Sequence, residues 1–137
     1  MRRFILMFGV LLLVFVPVRV FADVIGETNE EVTMIAEPIL DNILEAFELN
    51  DYLRYSRDFD ATLKESVSEK KFVEVDRYFQ DSLGDYQSRE YLGFVVKGKM
   101  SVVLWKARYS NSEDDVMIKL VVSKRGGECL VTGLWFQ

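Results

Sequence analysis

The sequence predicts an α+β domain in which helices come first and an antiparallel meander of four strands follows. Three observations predict it. Apolar residues recur at helical spacing between Ile35 and Leu83, the period switches to two after Gly84, and short turn-forming stretches divide the second half into strand-length runs.

Before the first helix lies a leader. Met1-Arg2-Arg3 precedes an apolar run of 15 residues, 4–18, and Val20-Phe21-Ala22 places small or apolar residues ahead of a cleavage point. This is the pattern of a secretory signal peptide over residues 1–22. The run is shorter than the roughly 20 residues a spanning helix needs, so no stable membrane anchor is expected after cleavage. Asp23 stands where a lipid-anchored protein would carry cysteine. The expected organisation is signal peptide 1–22, polar leader 23–31 and a single domain 32–137, in a secreted or periplasmic, extracytoplasmic location.

In the first helix, Thr28-x-x-Glu31 has the form of a capping box, and Ile35, Ile39, Ile43 and Phe47 share a stripe with Leu40 and Leu44. Pro38 falls inside the pattern, predicting a kink or a restart there. Asp51 is a good N-cap for a second helix over residues 52 to about 64, with Tyr52, Tyr55, Phe59 and Leu63 on one face. Ser66-x-x-Glu69 suggests the cap of a third helix, whose stripe is Phe72, Val75, Phe79 and Leu83, with Gly84 ending it.

The four strands are read at residues 86–97, 102–109, 116–123 and 129–136. In the second, Val103, Trp105, Ala107 and Tyr109 face one way while Lys106 and Arg108 face the other. Gly98, the Ser110-Asn-Ser-Glu-Asp-Asp115 stretch and Arg125-Gly-Gly-Glu128 supply the turns.

Composition removes several functions. With no histidine in the chain, histidine triads, histidine zinc sites and imidazole acid–base catalysis are excluded. Beyond residue 22 there are 115 residues carrying 14 basic and 22 acidic side chains, a net −8 that repels nucleic acid and anionic lipid heads. Cys129 is the one cysteine, so no internal disulfide forms; it reads as a small buried strand residue or as a reactive or intermolecular thiol.

Among candidate sites, Asp58 and Asp60 in "RDFD" resemble a carboxylate pair. On a continuous helix they lie about 200° apart. Such a helix instead pairs Arg54 with Asp58 and Asp60 with Lys64, each worth a few tenths of a kcal/mol. Asp58 beside Tyr55 at the border of the stripe is the general-base candidate of this stretch. Tyr52, Tyr55, Tyr91, Trp105, Tyr109 and Trp135 form an aromatic set that either lines a ligand pocket or packs the core. Glu113-Asp114-Asp115 reads as a solvated hairpin tip, since it lacks the spacing and glycine of a calcium loop. No metal or other cofactor is implied.

The element order and several local motifs resemble the nuclear transport factor two-like superfamily, and more narrowly a group of secreted prokaryotic domains of unknown function within it. The motifs are Asn50-Asp51-Tyr52 after the first amphipathic helix, Phe59 in the next, Gly84 before the sheet, and Gly133-Leu134 in the last strand. The resemblance implies helices folded across a strongly curved sheet as a cone. That superfamily hosts isomerases, dehydratases, cyclases, adaptor and immunity modules and ligand-binding domains, so the fold does not choose a function. Members that catalyse through histidine and aspartate have no counterpart here.

The sequence therefore supports a non-enzymatic binding or protein-interaction module, its partner a small apolar ligand or a protein. One alternative is a small isomerase or lyase-type enzyme using Asp58 and a tyrosine; another is a structural dimerising subunit of an envelope complex. The strands are apolar on more than one side: Leu92, Phe94 and Val96 alternate with Tyr91 and Val95, and Val102 and Leu104 oppose Val103 and Trp105. Helices cover only one face, so the other is expected to be an apolar patch, which argues for a protein partner or a homodimer through the sheet.

Overall fold

The computed structural model describes Pro17 and residues 21–137; the predicted signal peptide lies outside them except for Pro17, Phe21 and Ala22. The order is β1 (Ala22–Asp23), α1 (Asn29–Leu49), α2 (Tyr52–Tyr55), α3 (Ala61–Ser66), α4 (Glu69–Ser82), β2 (Tyr86–Lys97), β3 (Met100–Tyr109), β4 (Val116–Arg125) and β5 (Glu128–Phe136). This is the α+β architecture of helices followed by a curled antiparallel sheet, close to a half-barrel.

The capping box forms as expected. Thr28 Oγ1 accepts from Glu31 N at 3.2 Å and the Glu31 carboxylate accepts from Thr28 N at 3.3 Å. The helix then runs through Pro38 without a restart. Pro38 is exposed, and the carbonyl it leaves without a helical donor belongs to Met34, itself exposed, so the lost bond falls on the watered side. The opposite side buries Val32, Ala36, Ile39, Leu40, Ile43, Leu44 and Phe47, each of the larger side chains contributing about 1.5–3 kcal/mol. Asn50 ends the helix in the left-handed conformation at φ 50°.

The expected helix over residues 52–64 is two short helices with a break between them. After a turn over residues 56–58 the chain runs beside the free edge of β5, Phe59 bridging Val131: Val131 N donates to the Asp58 carbonyl at 2.7 Å and Asp60 N donates to the Val131 carbonyl at 2.9 Å. A continuous helix would satisfy these groups internally. The break satisfies them on a strand edge that would otherwise be open, and drives Phe59 into the core. The Arg54–Asp58 and Asp60–Lys64 pairs consequently do not form. Arg54 meets Glu45, Asp58 meets Arg57, and Asp60 meets Arg125 at 3.2 Å. The next helix is capped by Ser68, which accepts from Lys71 N, rather than by Ser66, which ends α3.

The residues read as a polar leader belong to the fold. Ile25 is buried in the core and its N–H donates to Ser101 Oγ at 3.3 Å. Ala22 and Asp23 pair with Arg125 and Lys124, on the side of β4 that β3 has vacated, since β5 occupies the other side of those same residues.

The sheet order is β2–β3–β4–β5 with all pairs antiparallel. Extra, unpaired residues at Gln87 and Leu92 of β2 and at Thr132 of β5 supply the irregularities that bend a sheet. Val103, Trp105, Ala107 and Tyr109 alternate into the helix-facing core together with Val116, Ile118, Leu120 and Val122. Phe47 is the hub of an aromatic cluster, with ring centroids 5.1 Å from Tyr55, 5.4 Å from Phe72 and Phe79, and 5.9 Å from Phe136. Among the described residues no helix is long and apolar enough to cross a membrane.

Candidate functional site

The aromatic set does not assemble as one pocket. Trp105 is fully buried and its Nε1 donates to Glu37 Oε1 at 2.7 Å. Tyr91 packs edge-on against Trp105 at 6.2 Å and donates its hydroxyl to Asn29. Tyr55 lies in the core between Phe59 and Phe72, where burial and neighbouring Tyr52 push its hydroxyl up to about 12. Tyr52 donates to the Val67 carbonyl at 2.8 Å. Trp135 is on the far side of the sheet, 43% exposed. The space between helices and sheet at Tyr55 and Trp105 is thus filled, because a domain of this size spends its aromatics on packing.

Tyr109 is the member of the set that borders the cleft between helices and sheet, while Trp135 lines the outer face of the sheet and Tyr52 a surface hollow beside Asp51 and Glu69. A cleft of about 300 Å³ lies between α1, α4 and the β2–β3 end of the sheet. Leu44, Phe47 and Glu48 face it from α1 at spacings of three and four, and Asp76, Phe79 and Gln80 face it from α4 at the same spacings. Tyr86 and Tyr109, with rings 5.8 Å apart, close it from the sheet, and Gly84 and Asp85 form its rim. Asp58 does not line it; its carboxylate meets Arg57 at the surface and its backbone carbonyl is engaged by β5.

The rim is held by close backbone approach. Gly84 has φ 74°, and a Cβ there would sit 2.3 Å from Ser110 Oγ. That hydroxyl accepts from Asp85 N at 2.8 Å, Ser110 N donates to the Asp85 carbonyl at 2.8 Å, and Asn111 N donates to the Leu83 carbonyl at 2.9 Å. The end of α4 is thereby clamped to the end of β3, which fixes Tyr86 and Tyr109 relative to Asp76.

Asp76 is the chemically distinctive group. Its Oδ1 is buried without a hydrogen-bond partner, the one such side-chain atom among the described residues. Burial raises its carboxyl above the ordinary carboxylate range, and Gln80 one turn on offsets part of that rise. Burial and the adjacent Tyr86 also raise the Tyr109 hydroxyl well above an ordinary phenol. The cleft therefore joins an aromatic floor to an acceptor held ready, with Glu48 and Asp85 at the edge and no cationic side chain in its lining.

Sequence reasoning missed Asp76. The signal was present: it lies four residues after Phe72 and three before Phe79, an acid within the apolar stripe of its helix. The acidic hairpin tip is solvated, with Arg108 reaching the Glu113 carbonyl and the Asp115 carboxylate. Cys129 is half-buried on β5, and burial pushes its thiol up, away from the reactive thiolate form. Compared with protein-family models, curated proteins and solved structures, the chain matches none of them.

Proposed function

We propose that this protein is an exported, non-enzymatic binding module of the nuclear transport factor two-like type, and that it takes a small ligand in the cleft between α1, α4 and the β2–β3 end of the sheet. The ligand has an apolar or aromatic body, to lie on Phe47, Phe79 and Tyr109, and a hydrogen-bond-donating head for Asp76. The observation that carries this reading is the buried, unpartnered Oδ1 of Asp76 in an aromatic-floored cleft of about 300 Å³. An unsatisfied buried acceptor costs about 1–3 kcal/mol, which a donating ligand recovers on binding. The leader, helix-then-sheet order and motif resemblance support export and superfamily.

The test is a thermal-shift screen of small aromatic amines and alcohols against the protein and its Asp76→Asn variant. A compound that raises the wild-type Tm and loses most of that effect on Asp76→Asn supports the reading. If the active compounds act equally on both, or none acts, the cleft is not the site.

The enzymatic alternative moves from Asp58 to Asp76. One observation favours it: a carboxyl with a raised pKa and two tyrosines border the same cleft, a combination suited to proton transfer. Its signature is deuterium uptake from solvent into a bound carbonyl compound, abolished by Asp76→Asn.

A further inference from the structure

Turned away from the helices, the sheet presents a trough of about 380 Å³. Its floor is Val95, Val102 and Val121, which stand in direct register across β2, β3 and β4. Gly133 of β5 continues that row, and its lack of a side chain has a purpose: a Cβ there would lie 2.3 Å from the Trp135 ring. The indole thus lies back over Gly133 and walls one side of the trough, with Lys119 Nζ 4.4 Å from its ring centre. Met100 and Lys97, paired across β2–β3, border the other side.

The trough is apolar inside and cationic at both borders. No carboxylate lines it, and among the described residues neither Lys97 nor Lys119 has an ionic partner, whereas Lys106 and Arg108 on the same face are paired with Glu90 and Asp115. The rest of the molecule sharpens this contrast. α1 carries six acidic and no basic residues, while the sheet and its turns, residues 86–137, carry eight basic against five acidic, Arg89 among the basic ones turning inward to Glu37 and Asp41. An acidic partner is therefore repelled by the helical layer and drawn to the sheet.

We propose that this trough docks an acidic amphipathic helix of another protein, its apolar stripe on the valine row and its carboxylates reaching Lys97 on one flank and Lys119 on the other. The dimensions suit a helix. Lys97 is level with Met100 and Lys119 with Leu104, so their backbones stand roughly 16 Å apart, four residues along and two strands across. A helix with its side chains is about 10–12 Å wide and fits between them. A second copy packed sheet to sheet suits the trough less well, because it sets these lysines against lysines in a desolvating interface.

The experiment uses the protein as a secreting host produces it and reads the emission of Trp135, the exposed tryptophan; Trp105 is fully buried and serves as internal reference. The probe is an 18-residue helical peptide with a leucine stripe flanked by glutamates; its matched control carries lysines in their place. Expected are a blue shift with the glutamate peptide, weakening with added salt, and no shift with the lysine peptide. A Lys97→Glu/Lys119→Glu variant with unchanged circular dichroism loses affinity for the glutamate peptide by about tenfold and gains affinity for the lysine peptide. Equal response to both peptides, no response to the glutamate peptide, or indifference to the double reversal overturns the proposal. So does a shift produced by phosphatidylglycerol vesicles alone, or a dimer in sedimentation whose Trp135 is already shielded.

Discussion

At the scale of the residue, Asp76 carries the most information, because its position is unfavourable for folding. An acid whose folded-state pKa is raised takes up a proton more readily in the native chain than in the unfolded one. Its ionisation therefore lowers stability as pH rises from the unfolded value near 3.9 through the higher folded value. Asp76→Asn is expected to raise Tm at pH 7, and the gain should vanish as the medium is brought below about pH 4, where aspartate is neutral in both states. Melting curves across that range check it, and a variant less stable than wild type at neutral pH would contradict the assignment. A residue tolerated against stability in this way supports the site proposed above. Gly84 is the complementary case, required for geometry. Gly84→Ala is expected to cost about 1–3 kcal/mol in urea denaturation, through its positive φ and the contact with Ser110, and to loosen the rim of the cleft.

At the scale of the element, the break between α2 and α3 was not legible in the sequence. Tyr52, Tyr55, Phe59 and Leu63 keep a helical spacing, and nothing local ends the pattern, since no proline or glycine lies between Asp51 and Val67. The break exists because β5 offers an unpaired edge at Val131, a group more than 70 positions away in sequence. The two aspartates of "RDFD" take different roles as a result. Asp60 caps α3, accepting from Leu63 N at 2.8 Å, and also pairs with Arg125, while Asp58 acts through its backbone. Asp60→Ala should cost about 1–3 kcal/mol and Asp58→Ala less than about 0.5 kcal/mol, measured by equilibrium unfolding. Equal losses would place the support in the side chain of Asp58 after all. The caps at Thr28 and Asp51, the stop at Gly84 and the four strands were legible, because each depends on neighbours within a few residues.

At the scale of the whole molecule, one polar network joins the helical and sheet layers. Glu37 of α1 accepts from Trp105 Nε1 and from Arg89 Nε at 3.0 Å, and Arg89 reaches on to Asp41 at 2.6 Å and to the Tyr86 hydroxyl at 3.2 Å. Glu37→Ala leaves the indole donor and a largely buried guanidinium short of an acceptor and should cost about 2–4 kcal/mol, with the loss seen together in α-helical and tryptophan signals. If the two signals separate, α1 and the sheet do not unfold as one unit.

The division between sequence and tertiary structure follows from range. The α+β order, the caps, the turns, the strand alternation and the exclusion of histidine chemistry were set by composition and by spacings of two to four residues, and they hold without knowledge of what packs where. Tertiary structure alone decided which aromatics fill the core, that residues 58–60 leave the helix to cover a strand edge, that Asp76 sits at an aromatic cleft, and that the lysines of β2 and β4 border one valine trough. Each of these depends on groups from distant segments meeting in space, and a periodic pattern says which face a residue takes but not what stands opposite it.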